Sequence, residues 1–335
     1  MDERVVVGVD GSANSLRALA WAAGDAAVRG GLLQVVTVWL PDAGSGAGFG
    51  GGASEAAARL DRSLHEVAAR TRGVAMEKLV LAGETAPILC AVAAGASVMV
   101  VGWRGFSGVA GAMLGSVSLR CVRHSSVPVV VVPPDHPGVR PRAGVGEPGR
   151  ILVGIDRSPG AAAALTWAIG EAVHRHWEID AAEVGREPYQ EDMALELDMP
   201  HFRRERPGLV RASRERLEQF VAGVAEAAGV AGVAGMTDAA GVGGLAAGVG
   251  GAAGGVGAGG VQAPVAIRPL LLDGDPDTVL CDRSAGADLL VVGSKGRGGL
   301  ARVVLGSVST RCAHHSRCPV AIVPTGAPVT PGNGD

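Results

Sequence analysis

An internal repeat constrains this chain more than any other feature. Residues 5–12 read VVVGVDGS and residues 151–158 read ILVGIDRS. Eleven residues after each aspartate, Asp10 and Asp156, stands a tryptophan, Trp21 in ALAWA and Trp167 in ALTWA. Later, residues 100–118 read VVGWRGFSGVAGAMLGSVS and residues 291–309 read VVGSKGRGGLARVVLGSVS. Gly102 precedes Pro128 by 26 residues, and Gly293 precedes Pro319 by 26. Motifs in one order at one spacing mark a duplication. The 335 residues suffice for two domains of about 100–150 residues, each with its own core.

One spacing breaks the repeat. Asp10 lies 92 residues before Gly102, whereas Asp156 lies 137 before Gly293, so the second copy is about 45 residues longer. Most of the excess is a Gly/Ala/Val tract at 221–262, expected to be a flexible insertion that neither packs a core nor forms an amphipathic helix. The expected organisation is a first domain over 1–133 and a linker over 134–149, where Pro and Gly forbid a regular element. A second domain then covers 150–325, and a tail 326–335.

Each copy alternates strand and helix. Residues 5–9 form a short continuous apolar run, as for a strand buried on both faces. A helix follows with Ser12 or Asn14 as candidate N-cap, an apolar face of Leu16, Leu19, Ala23 and Ala26, and Gly30-Gly31 as terminator. Strands are expected at 32–38, 76–81, 98–101 and 129–132, and helices at 54–72, 87–94 and 115–124. The second copy repeats this with strands at Ile151, Ile179, Val265, Leu289 and Val320. The fold class is α/β: two tandem Rossmann-like domains, each a five-stranded parallel sheet flanked by helices. Ligands of such sheets bind beyond the strand carboxyl ends, where strand order reverses. Asp10, Val38 and Gly102 lie at such ends, as do Asp156, Val184 and Gly293.

The motif with chemical content is Gly102-x2-Gly105-x9-Gly115-Ser116, repeated as Gly293-x2-Gly296-x9-Gly306-Ser307. Glycine lets main chain approach phosphate oxygens and adopt positive φ, and successive N–H groups make an anion nest. Gly115-Ser116 and Gly306-Ser307 open helices whose free N–H groups and dipole favour phosphate. The hydroxyls of Ser116, Ser118, Ser307 and Ser309 are candidate donors. Arg104, Lys295 and Arg297 supply positive charge.

Together with the strand-end Asp and the closing Val-Pro-Val or Cys-Pro-Val strand, this motif resembles the ATP-binding class of universal stress proteins, over nearly all of both copies. The resemblance implies the adenine-nucleotide alpha-hydrolase-like variant of the Rossmann architecture. It implies ATP, with Mg²⁺, as the bound group. Asp10 (with Gly11) and Asp156 would contact ribose or base, and Val38 and Val184 would meet adenine through main-chain groups. The phosphates would be held by Gly102, Gly105, Gly115, Ser116, Val117 and Ser118, and by Gly293, Gly296, Gly306, Ser307, Val308 and Ser309. It also implies that the last strands, 129–132 and 320–323, pair with each other as an intramolecular pseudo-dimer, with homo-oligomers as a further option. The copies depart from one another at Asp10-Gly11 against Asp156-Arg157. They differ again in the loops 42–53 and 185–207, so the two sites need not fill equally.

Other readings carry less. A formal charge of −3 offers no basic face for nucleic acid. Residues 239–266 are uncharged but too poor in large side chains to span a membrane. With no signal-peptide pattern at the start and five cysteines, an odd number, a reducing cytoplasm is the expected compartment. Cys121-x2-His124 and Cys312-x-His314-His315-x2-Cys318 have zinc-like spacing, but they are repeat equivalents at a helix end, so no metal site is expected. Gly255, Gly257 and Gly260 match G-x-G-x-x-G without a preceding strand or following helix. The expected function is therefore a stress-response sensor or regulator that binds ATP and is not an enzyme, since no positioned acid or base stands out. A slow ATPase and a nucleotide-free dimerising scaffold are the alternatives.

Overall fold

A computed structural model describes residues 3–41, 52–103, 114–134, 148–185, 200–230, 265–296 and 305–326. Arg104, Gly105, Arg297, the segments 135–147 and 231–262, and most of the two expected loops lie outside them.

The first half runs β1 (Arg4–Gly8), α1 (Ala13–Arg29), β2 (Leu32–Trp39), α2 (Ala53–Glu66), α3 (Ala68–Thr71), β3 (Met76–Ala82), α4 (Thr85–Val92), β4 (Val98–Gly102), α5 (Ser116–His124) and β5 (Val129–Val132). The second half runs β6 (Arg150–Ile155), α6 (Pro159–Arg175), β7 (Glu178–Gly185), α7 (Pro200–Ala227), β8 (Ile267–Asp273), α8 (Pro276–Arg283), β9 (Leu289–Gly293), α9 (Ser307–His315) and β10 (Val320–Val323). Each half is a parallel five-stranded sheet of order 3-2-1-4-5, so strand order reverses between its first and fourth strands.

Local chemistry sets the helix ends. Ser12 has extended main chain, and its Oγ accepts from the Ser15 N–H, which satisfies one of the free donors of the first turn. Gly30 ends α1 in the left-handed region at φ 63°. Ser158 caps α6 in the same way, with Pro159 at the first helical position, where its missing N–H costs nothing. The helix expected over 54–72 is broken at Val67 into α2 and α3.

One expectation is corrected. Residues 221–230 are not part of a loose insertion: α7 continues to Ala227, and Leu217, Val221 and Ala225 are buried with Val230. Their i, i+4 spacing forms one apolar stripe. The stripe crosses the point where composition turns Gly/Ala-rich, so average composition hid it.

The two sheets are one. β5 and β10 pair antiparallel (Val320 with Val131, Ala321 with Val130, Ile322 with Val129), giving a single sheet of ten strands. Alternate strand residues feed two cores. Val5, Val7 and Val9 join the layer beneath α1, α2, α6 and α7, while Val6 and Val36 join the layer beneath α4, α5, α8 and α9.

On the first face, α1 and α6 meet around buried charges. Asp25 and Glu171 are 1% and 2% exposed, and Arg29 and Arg175 are 4% and 9% exposed. Arg29 pairs with Asp25 on its own helix at 2.9 Å and with Glu171 across the join; Arg175 pairs with Glu171 at 3.1 Å and with Asp25 across the join. The Arg175 guanidinium also lies 5.1 Å from the Trp21 ring centroid and 4.8 Å from that of Trp177, within cation–π range. Glu3 extends the cluster, bonding Arg29 at 2.7 Å and meeting His174 at 3.3 Å. Contact with His174, aided by Arg29, holds the Glu3 carboxyl down to about 2, and the same contact raises His174 above its ordinary 6.5.

Removing one member leaves a buried charge uncompensated, which costs about 3–5 kcal/mol. Asp25→Ala should therefore lower unfolding free energy by about that amount in urea titration, with the midpoint shifted and the slope unchanged. The Glu3–His174 contact carries a pH signature. Glu3, depressed on folding, adds stability above its ordinary 4.5 that is lost as pH falls towards about 2. His174, raised on folding, adds stability below 6.5 that is lost as pH rises through its elevated value. Thermal unfolding of wild type should weaken on that upper limb, and His174→Gln should flatten it.

Candidate functional site

The site forms where β1 and β4 diverge, and again where β6 and β9 diverge. Asp10 follows β1, and its Oδ1 accepts from the Ser12 N–H at 2.9 Å. Asp156 accepts from the Ser158 N–H at 3.0 Å. Each is an Asx turn that delivers the chain to a capping serine. The residue between takes positive φ: Gly11 at 84°, and its counterpart Arg157 at 60°. For arginine that conformation costs about 1–3 kcal/mol.

Gly102 and Gly293 have a packing reason to be glycine. A Cβ on Gly102 would stand 2.8 Å from the Asn14 carbonyl carbon, and one on Gly293 2.6 Å from the Gly160 carbonyl. These glycines let the ends of β4 and β9 lie against the first turns of α1 and α6. Gly296 stands against the strand-end carboxylate instead: a Cβ there would meet Asp156 Oδ2 at 2.6 Å. The strand-end carboxylate and the glycine motif are thus in contact in the second half. Gly306 is adjacent, its Cβ direction pointing to Ser309 Oγ, Ser294 O and Gly296 N at 3.5–3.8 Å.

Gly115 and Gly306 are the N-caps of α5 and α9. Their N–H groups bond Trp103 O at 2.8 Å and Ser294 O at 2.9 Å, and neither helix has a side-chain cap among the described residues. The first-turn N–H groups of Ser116, Val117 and Ser118, and of Ser307, Val308 and Ser309, therefore carry the positive end of each helix dipole without a side-chain capping oxygen among the described residues. Ser116 and Ser307 are exposed at these starts. Ser118 and Ser309 are buried, and their hydroxyls donate to Gly102 O and Gly293 O, both at 2.6 Å. A serine has one proton, and in this structure it ties α5 to β4 and α9 to β9.

Val38 and Val184 lie partly buried at the ends of β2 and β7, packed on the second core. The pockets differ beside them. Parallel register places Thr37 and Glu183 in equivalent positions. Thr37 Oγ1 donates to Val9 O at 2.8 Å, whereas Glu183 Oε1 binds Arg157 Nη2 at 2.9 Å. Sequence reading noted Arg157 but missed Glu183, which sits in an unremarkable strand one residue before Val184. Lys295 is half-buried on the second loop.

The first site is also held by the second half. Trp103 Nε1 donates to Ala313 O at 3.2 Å, and the Leu114 N–H donates to His314 Nδ1 at 3.0 Å. Burial, with His315 beside it, lowers the His314 pKa and so favours the neutral ring that can accept.

A sequence model of the universal stress protein family matches residues 1–133 and 148–324. The chain belongs to the universal stress protein family. Universal stress protein Rv1996 of Mycobacterium tuberculosis is 30% identical over 342 residues, covering 95% of this chain and 94% of that protein. Universal stress protein Rv2005c of the same organism is 28% identical over 339 residues, covering 95% and 96%. Among solved structures, a universal stress protein from Archaeoglobus fulgidus has the same fold, with a TM-score of 0.60 at 20% identity over 96% of this chain and 98% of that one. The tandem universal stress protein arrangement thus extends through both halves. No helix among the described residues is long and apolar enough to cross a membrane.

Gly293→Ala should destabilise this family member by about 1–3 kcal/mol, the usual cost of overpacking, with or without added nucleotide. Chemical denaturation in both conditions checks it, because the clash is with Gly160 main chain and not with anything bound.

Proposed function

We propose that each half binds an adenine nucleotide, ATP with Mg²⁺, at the strand carboxyl ends, and that occupancy rather than turnover is the signal in stress response. The observation that carries this reading is the pair of helix starts, Ser116 and Ser307, without side-chain caps among the described residues. In the second half the start stands beside Gly296 and the carboxylate of Asp156. Free N–H groups at a helix start, with no Cβ in the way, suit phosphate oxygens. Bound there, the triphosphate would be held by main chain of Gly115–Val117 and Gly306–Val308, with Lys295 supplying charge, while Asp10 and Asp156 would orient the sugar. Mg²⁺ would neutralise phosphate charge. Both aspartates are engaged in turns, which suits orientation better than proton transfer, and phosphoryl transfer needs a positioned nucleophile. The stress proteins of M. tuberculosis named above support the family role, and the ligand assignment rests on the local chemistry.

Equilibrium dialysis with Mg·ATP tests the proposal. Wild type should take up two nucleotides per chain, and Gly296→Asp should lose one, with binding at that site weakened at least about tenfold. Wild type that binds none would end the reading. Turnover above about 1 s⁻¹, the low end of ordinary enzymes, would favour the ATPase alternative.

A further inference from the structure

The two candidate sites share one main-chain skeleton. At the first, the Trp103 N–H donates to Val132 O at 2.9 Å and the Gly115 N–H donates to Trp103 O at 2.8 Å. At the second, the Ser294 N–H donates to Val323 O at 2.8 Å and the Gly306 N–H donates to Ser294 O at 2.9 Å. All four bonds stay within their own half. The first site has two more that do not. The Leu114 N–H donates to His314 Nδ1 at 3.0 Å, and Trp103 Nε1 donates to Ala313 O at 3.2 Å, across 200 and 210 residues of chain.

The repeat does not return this support. Ser294 has no indole N–H to offer. Arg123, which occupies the position of His314 in α5, is exposed, and a guanidinium cannot accept a hydrogen bond. Leu305 is buried like Leu114, yet its N–H has no bond to α5 among the described residues. Support therefore runs from the second half to the first.

Both contacts come from the end of α9. Ala313 O is one of its last four carbonyls, which lack a donor inside the helix, and Trp103 supplies one. The other end of α9 opens the second site, where Gly306 is the cap and Ser309 Oγ donates to Gly293 O at 2.6 Å. Nine residues make a rod about 13 Å long. One short helix thus touches both sites, and Leu114 immediately precedes the cap Gly115 of the other.

We propose that His314 is a positioning residue for the first nucleotide site, supplied by the second half, and that through it α9 couples the two sites so that nucleotide at the second tightens binding at the first. The inference rests on the nucleotide reading above. A nucleotide held by the first-turn N–H groups of Ser307, Val308 and Ser309 fixes the start of α9. The helix carries that restraint to His314, and the bond to Leu114 carries it to Gly115 and the start of α5. Part of the ordering cost at the first site is then met before its own ligand arrives, which gives positive coupling without a change of shape. The coupling is reciprocal by linkage.

The test titrates the full-length protein with Mg·ATP and follows hydrogen exchange by mass spectrometry. Protection of peptides that begin at Ser116 and at Ser307 reports the two sites separately. Gly296→Asp, which disables the second site, should weaken the first about fivefold or more, although it lies in the other half. His314→Leu, which removes the acceptor, should weaken the first site similarly, and adding Gly296→Asp to it should weaken that site no further. His314→Asn, whose Oδ1 can stand where Nδ1 stood, should keep both the affinity and the coupling. Full protection of peptides from the ten-stranded sheet checks that each variant is folded. The proposal is overturned if Gly296→Asp leaves the first site unchanged, if it acts equally with and without the His314 acceptor, or if His314→Asn behaves as His314→Leu. Two filled but independent sites overturn the coupling alone. Protection at one site only also overturns it, and protection at neither ends the nucleotide reading as well.

Discussion

β5 and β10 are four-residue apolar strands, and every residue in them is buried because each strand is the other's neighbour. Alone, either would be an open sheet edge with unpaired N–H and C=O groups, a template for unwanted pairing. Joined antiparallel, they turn two sheets into one and set the halves about a local pseudo-twofold. That placement lays α1 beside α6 and brings Asp25, Arg29, Glu171 and Arg175 together. Each carboxylate serves one arginine of its own helix and one of the other half. The arrangement is neutral as a whole, and the crossed pairing compensates charges that burial would otherwise penalise by several kcal/mol each. Strand pairing and charge pairing specify the same geometry from opposite ends of the interface.

The symmetry is local and is broken where function is expected. α9 begins at the second candidate site and ends against the first, where His314 accepts the Leu114 N–H and Ala313 accepts from Trp103. The position equivalent to His314 in α5 is Arg123, and Ser294 stands where the first copy has Trp103. The second half therefore buttresses the first site through contacts whose residues the repeat does not share. Since Leu114 immediately precedes the cap Gly115, displacement of α9 would reach the first pocket through one hydrogen bond.

Sequence made legible whatever is decided over a few residues. The strand runs, the Gly30 stop and a cap at Ser12 or Asn14 follow from local pattern or from the repeat, and the pairing of the last strands from the family resemblance. The pocket's ingredients were legible for the same reason, since the Asp turn and the helix starts are contiguous motifs. What escaped depends on partners far along the chain. Asp25 and Arg29 drew no reading, because nothing in their i, i+4 spacing shows that α6 covers them. Glu183 reads as a strand residue until register sets it beside Arg157. The hydroxyls of Ser118 and Ser309 read as free donors until the fold supplies a carbonyl at 2.6 Å. The end of α7 was lost because Val221 and Ala225 share their composition with the tract beyond, though not their spacing.

The contrast between join and pocket bears on how a duplicated chain can change. At the join, a substitution in one copy strands a charge belonging to the other, so acidic and basic positions match: Asp25 with Glu171, and Arg29 with Arg175. At the pockets no such reciprocity operates. Gly11 and Thr37 in one copy face Arg157 and Glu183 in the other, and each pair is internally consistent. The bare glycine leaves a threonine free to bond Val9 O, while the arginine, held at positive φ, is matched by a carboxylate across the register. A compensating pair within one half leaves the shared sheet untouched. The joint therefore holds the two halves to one architecture while permitting their sites to differ, and a tandem chain gains what a symmetric dimer of identical copies lacks: two unlike pockets on one sheet.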